Sequence, residues 1–257
     1  MRVLRLGNSD DLSPGVADEK RAWYIAAAML AEEVGEQVET IVKPIWPTPD
    51  LPERLGRWID EYQPDIVFMK INRYWYAYES VPLRIRRIFG PAGKPVASAG
   101  LRAAKNQRLA RNRLFKLGRR MAHRLIGGDT PFHTRDIVEL MSVCIREMVA
   151  RESVALMVKG TAAARQNEEA LAGYYHRFLG RADEVEGALK RLCEELHVPW
   201  NAPAPRSTKQ DGLKGGDGVH QNAIGQQRMG RQEGQAMIDG WRVLHGREAL
   251  GDAAAAT

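Results

Sequence analysis

Short apolar runs that alternate with amphipathic stretches restrict the fold of this chain more than any other feature. Residues 2–6, Val38–Val42 and Ile66–Ile71 read as strands, and helical patterns fill the intervals. Trp23, Ala26, Ala27, Leu30 and Val34 form one stripe within Asp18–Val34, and Gly35 ends that helix. Asp50-Leu51-Pro52-Glu53 has the spacing of a capping box with proline in the first turn, which opens a helix over Leu51–Tyr62. Ile66–Ile71 is nearly all apolar, as a strand covered on both faces would be. Strand, helix, strand, helix, strand requires a parallel sheet with crossover helices.

Further along, Lys94–Ser98 reads as a short strand or an extended loop. Leu101–Ile126 has helical periodicity, with Leu114, Leu117, Met121 and Leu125 on one face and Gly118 interrupting it. Thr134 is placed to cap a helix over Arg135–Glu152, whose stripe is Ile137, Leu140, Met141, Cys144 and Met148. Val154–Val158 is a fourth strand, Glu168–Leu179 and Asp183–His197 are helices, and Val198-Pro199-Trp200 is a last short strand. Ala202–Gly218, rich in Pro, Gly and Ser/Thr, is a long loop of the kind that carries function. Ile224–Leu244 is the closing helix. Its Gly230 and Gly234 share a face with Met237 and Trp241, which would let it approach the sheet closely. The 257 residues suit one α/β domain over 1–248, with about 101–152 as a helical insertion or lid and 249–257 as a disordered tail of small residues.

Chemistry-bearing residues fall at the ends of these elements. Val3-Leu4-Arg5-Leu6-Gly7-Asn8-Ser9-Asp10 puts Ser9 at the carboxyl end of the first strand, the edge where open α/β sheets bind ligands. Taken alone, a serine there caps a turn. Near the other terminus, Asp217-Gly218-Val219-His220 offers a carboxylate and an imidazole three residues apart, in a glycine-rich loop that leads into the closing helix. A serine hydroxyl becomes a nucleophile when an imidazole takes its proton, and a carboxylate fixes the tautomer of that imidazole. Serine, then aspartate, then histidine is a chain order used by several hydrolases. Asn72 directly follows the third strand run.

These three stretches resemble the GDSL-like or SGNH hydrolases. Leu6-Gly7-Asn8-Ser9-Asp10 is similar to the family's opening block, with Asn8 where an aspartate is usual. Ile66–Asn72 resembles the strand that ends in the oxyanion-hole asparagine, and Asp217–Gly225 resembles the closing block. The resemblance implies a three-layer α/β/α, flavodoxin-like fold. It also implies esterase or lipase activity on an O-acyl or O-acetyl group. In that reading Ser9 is the nucleophile, His220 the general base and then acid, and Asp217 its orienter. Asn72 and the Ser9 N–H form the oxyanion hole. Two departures stand out. Lys43–Pro49, where the family has a glycine donor, holds three prolines and no glycine, and Asn72 is followed by Arg73. Acyl transfer on the same site is an alternative. So is a non-catalytic polyanion-binding protein with a vestigial triad.

Asn8, Arg73, Tyr74 and Trp75 are candidates for substrate contact. The aromatics Tyr74, Trp75, Tyr76 and Tyr78 would line a pocket or cover the end of the sheet, with equal weight on either reading. From Ser80 to Gly128 there is no Asp or Glu but there are thirteen Lys and Arg residues. A solvated face is the simpler reading of that stretch, and an anion site is the other. Cys144 and Cys193 read as small buried hydrophobes. His123, His133, His176, His197 and His245 show no metal-ligand spacing, and no nucleotide-binding glycine motif occurs, so neither metal nor cofactor is expected. The expected substrate is a small-molecule or glycan ester. No window is apolar enough for a membrane span and no leader pattern precedes Ser9, so the chain reads as cytoplasmic.

Overall fold

A computed structural model describes residues 1–9, 11–12, 15–105, 112–151, 154–160, 172–201 and 221–255. Five parallel strands form one sheet: β1 (Arg2–Gly7), β2 (Glu39–Pro44), β3 (Ile66–Ile71), β4 (Ala155–Gly160) and β5 (Trp200–Asn201). Their order is β2-β1-β3-β4-β5, the doubly wound arrangement in which β1 and β3 flank the topological switch point. Leu4 lies beside Ile41 of β2 and Val67 of β3, and Val67 lies beside Leu156 of β4. The helices are α1 (Ala22–Val34), α2 (Leu51–Tyr62), α3 (Val81–Lys105), α4 (Arg113–Ile126), α5 (Thr134–Val149), α6 (Ala172–Glu195) and α7 (Ala223–Ala255).

The contacts divide the chain into two compact units. One comprises Met1–Ile71, Glu139–Ala162 and Ala188–Thr257, and the other Asn72–Val138 and Ala163–Gly187. The first holds the sheet. Its core on one face joins Val3, Ile66, Phe68, Ala155 and Met157 from the strands to Ala26 and Leu30 of α1 and Met237 and Ile238 of α7. The close approach of α7 is made to α1 as well as to the sheet. A Cβ on Gly230 would lie 2.9 Å from the Ala22 carbonyl oxygen, and one on Gly234 would lie 2.8 Å from Met29 Sδ. Gly240, in turn, presses on β4, where a Cβ would meet Met157 Cε at 2.4 Å. The Ala22 N–H, which no cap of its own helix satisfies, donates to the buried Gln226 Oε1 of α7 at 2.8 Å. The first and last helices of the sequence are therefore bonded as well as packed together.

Several local expectations differ from the structure. Asp50 makes no capping bond and instead pairs with Arg54 at 3.1 Å. Thr134 Oγ1 donates to Glu184 rather than capping α5. Lys94–Ser98 is helical, part of α3, which breaks at Gly90 (φ 54°). Leu101–Ile126 is not one helix, because Asn112 is extended and caps α4 by accepting the Leu114 N–H at 2.8 Å. The two expected helices on either side of Gly180 are one, α6. The closing helix runs on to Ala255 and takes in most of the segment set apart as a tail. Cys144 and Cys193 are buried and free, and burial pushes both thiols up to about 12.

Candidate functional site

The loop that leaves β1 is built on a buried carboxylate. Asp11 Oδ2 accepts the Asn8 N–H at 2.9 Å, and the Asp11 N–H returns to the Asn8 carbonyl at 3.1 Å. The Leu12 N–H closes on the Ser9 carbonyl at 3.2 Å. Asn8 and Asp11 are buried while Ser9, between them, is exposed. Two interlocking turns thus raise Ser9 at the carboxyl end of a switch-point strand.

Asp11 is itself clamped. Arg5 Nε and Nη2 donate to its Oδ1 at 2.8 and 2.6 Å, and Lys70 Nζ lies 3.1 and 3.3 Å from its two oxygens. Glu233 of α7 completes the group. It accepts from Arg5 Nη2 and, at 2.8 Å, from Lys159 Nζ, and it lies 3.6 Å from Lys70 Nζ. All five side chains are buried. Strand periodicity explains the placement. Arg5, Lys70 and Lys159 continue the face of β1, β3 and β4 that carries Val3, Phe68 and Met157, because successive side chains alternate between faces. That face is apolar toward the strand starts and cationic toward the strand ends.

Among the described residues the cluster sets three cations against two carboxylates, all of them buried. Burial opposes the charge on Asp11 and Glu233. Arg5 with Lys70 outweighs it at Asp11, and Arg5 with Lys159 and Lys70 outweighs it at Glu233, so both carboxyls are held below the usual range. Lys159 moves the other way. Burial lowers its ammonium, Lys70 and Arg5 add to the effect, and Glu233 only partly counters it.

Gly7 faces this clamp with no room to spare, since a Cβ there would lie 2.0 Å from Asp11 Oδ2 and 2.7 Å from Asp11 Cγ. The carboxylate cannot swing aside, because Arg5 and Lys70 hold it. Gly7→Ala is therefore expected to destabilise the protein by about 1–3 kcal/mol, the usual cost of overpacking. A thermal melt against wild type checks this.

Asn72 directly follows β3, the other switch-point strand. Its Oδ1 accepts the Tyr74 N–H at 2.9 Å and its carbonyl accepts the Trp75 N–H at 3.1 Å, so a turn fixes the amide with Nδ2 as its donor end. In the second unit, Arg73 forks onto Glu186, which also accepts from Tyr76 Oη at 3.2 Å. The aromatic run divides: Trp75 and Tyr76 are buried, and Tyr74 is half exposed and stacks on Tyr78 at 5.3 Å. Asp217 and His220 lie outside the described residues, as does Asp10. The described chain resumes at Gln221, and Asn222 Oδ1 caps α7 by accepting the Gly225 N–H at 2.9 Å. Among the described residues no group of His, Cys, Asp and Glu has the arrangement of a metal site.

Sequence reasoning missed the clamp. Its signal was a cation near the carboxyl-terminal end of three strands, Arg5 of β1, Lys70 of β3 and Lys159 of β4.

Neither a protein-family model nor a curated protein sequence matches the chain. Solved structures do. The psychrotrophic esterase EstA from Pseudoalteromonas sp. superimposes with a TM-score of 0.53 at 10% identity, over 93% of this chain and 97% of that one. This chain has the SGNH-hydrolase fold. The acetyl xylan esterase AlAXEase shares it at a TM-score of 0.51 and 13% identity, over 92% of this chain and 99% of that one. So does the acetylxylan esterase Axe2 from Geobacillus stearothermophilus, at 0.52 and 12%, over 90% and 91%. At such identities the likeness is one of SGNH-type architecture.

Proposed function

We propose that this protein hydrolyses carboxylic esters through Ser9. The observation that carries the reading is the loop: an exposed hydroxyl on a switch-point strand, suspended from a buried, doubly clamped aspartate. Such a frame keeps a nucleophile in one geometry. In this reading His220 takes the Ser9 proton and returns it to the leaving alcohol, while Asp217 orients the ring. The alcohol departs, an acyl-enzyme remains, and water repeats the attack. Asn72 Nδ2 and the Ser9 N–H stabilise the oxyanion.

The structural neighbours support this reading. EstA is described as inhibited by monoethylphosphonate. A serine-to-alanine and a histidine-to-alanine form of Axe2 are both described as catalytic mutants. The proposed substrate class is an O-acyl or O-acetyl ester of a small molecule or glycan.

A series of p-nitrophenyl esters from acetate to long chain, run beside acetylated sugars, tests the proposal. Cleavage of at least one ester is expected. Asn72→Ala should lower turnover by about 10²–10³-fold, the usual cost of losing an oxyanion donor. If no ester is cleaved while heparin is bound with a steep salt dependence, the polyanion-binding alternative replaces this one.

A further inference from the structure

Helix α4 presents an apolar stripe to solvent inside the most basic segment of the chain. Leu114, Leu117, Met121 and Leu125 are 77%, 51%, 54% and 80% exposed. Their spacing of three, four and four residues places them along one side of the helix. The orientation of the helix is fixed from the opposite side. His123, about half a turn away from the stripe, is buried with Nε2 3.5 Å from Glu79 Oε2. Glu79 also takes Arg177 Nε and Arg181 Nη1 at 2.9 and 2.8 Å. Gly128, just past the helix, closes on the same pair, since a Cβ there would lie 2.6 Å from Glu79 Cβ and 2.8 Å from His123 Nε2. With His123 held inward, the aliphatic row faces out.

The charges within the segment that carries the row have one sign in the sequence. Residues 80–128 contain thirteen Lys and Arg and no Asp or Glu. In helical register, positions 113, 120 and 124, all arginine, border the row on the Leu117 side. The preceding helix α3 also exposes Ile88, Phe89 and Val96, each by more than half.

A partner for this face has to accept aliphatic side chains and carry negative charge. A second copy would bring like charges together. A nucleic acid satisfies the cations but offers the leucines little, because most of its contacts are polar and made to phosphate. The boundary between headgroups and acyl chains of an anionic bilayer supplies both properties at once. Among the described residues no helix is long and apolar enough to cross a membrane, so the contact would lie in the surface. We propose that α4 docks this protein onto anionic lipid bilayers, with Leu114, Leu117, Met121 and Leu125 in the acyl boundary and the arginines at the phosphates.

The test is flotation of the full chain with vesicles of phosphatidylcholine, with and without phosphatidylglycerol, at low and high salt. Binding is expected only with phosphatidylglycerol and should weaken as salt rises. The double variant Leu117→Asp/Met121→Asp should lose on the order of tenfold or more in affinity, since apolar burial and attraction to anionic lipid act together. Val243→Asp, which puts the same charge on another exposed aliphatic position in α7, should not. If the double variant melts early, Leu114→Gln/Leu125→Gln repeats the test at the two most exposed positions. Four results would overturn the proposal: no flotation at low salt, equal flotation of wild type and stripe variants, tighter binding to a DNA duplex than to vesicles, or a dimer in sedimentation that the stripe variants dissociate.

Discussion

Ser9→Ala is expected to reduce ester turnover by about 10⁶-fold, the scale seen when a nucleophile that works as a unit with its base is removed. The same change should leave stability within about 0.5 kcal/mol of wild type, because the side chain is exposed and the loop is held by its neighbours. This split is diagnostic. The turns around Ser9 use the Asn8 N–H, the Asp11 N–H and carboxylate, and the Ser9 and Asn8 carbonyls, none of which alanine alters. A loss of activity with an unchanged melt therefore reports on chemistry. Parallel measurement of kcat and of thermal unfolding decides it, and a variant that keeps more than a small fraction of wild-type turnover removes Ser9 from the mechanism.

Glu233→Ala carries the largest expected effect on stability, a loss of about 3–5 kcal/mol, the usual cost of taking one partner from a buried ion cluster. Without Glu233, Arg5, Lys70 and Lys159 would share Asp11 alone, and Lys159 would lose its 2.8 Å carboxylate contact. In a chain of this length the loss corresponds to roughly 6–20 °C in Tm. The opposite deletion should be milder. Lys159→Met takes a charge from the side in surplus, leaving two cations and two carboxylates. It also removes an ammonium that burial and its cationic neighbours already disfavour. If Lys159→Met proves as damaging as Glu233→Ala, the cluster is not governed by its charge balance. Melts of both variants in the same buffer make the comparison.

The contrast between these two residues also shows what the sequence could disclose. Strand runs such as Ile66–Ile71 were legible because both faces are covered, so nearly every position is apolar, and their alternation with helices implied the parallel sheet. The positions of Ser9 and Asn72 at strand ends were legible because each follows such a run. The clamp was not, because it joins residues as far apart as Arg5 and Glu233, and pairing at that distance has no local periodicity. A lone Arg or Lys in an apolar run resembles a solvated position until its acid is known. The helical errors had local causes. Lys94–Ser98, read as a short strand or extended loop, is helical because Gly90 at φ 54° makes the break and Pro91 then sits in a first turn, where its missing N–H costs nothing. The two helices read as ending at Leu179 and starting at Asp183 are one, and Ala182, Val185 and Leu189 on it are buried. Asp50 had the right spacing for a cap, but its backbone is already helical, with φ −81° and ψ −1°.

Ser9 as the attacking group is the claim on which the functional account rests. The most direct measurement is labelling of the full chain with a fluorophosphonate, followed by digestion and mass spectrometry of the adduct. The account predicts one adduct, on the peptide containing Ser9, that is absent from Ser9→Ala and strongly reduced in His220→Ala. An adduct on any other residue, or labelling that survives in Ser9→Ala, would contradict it.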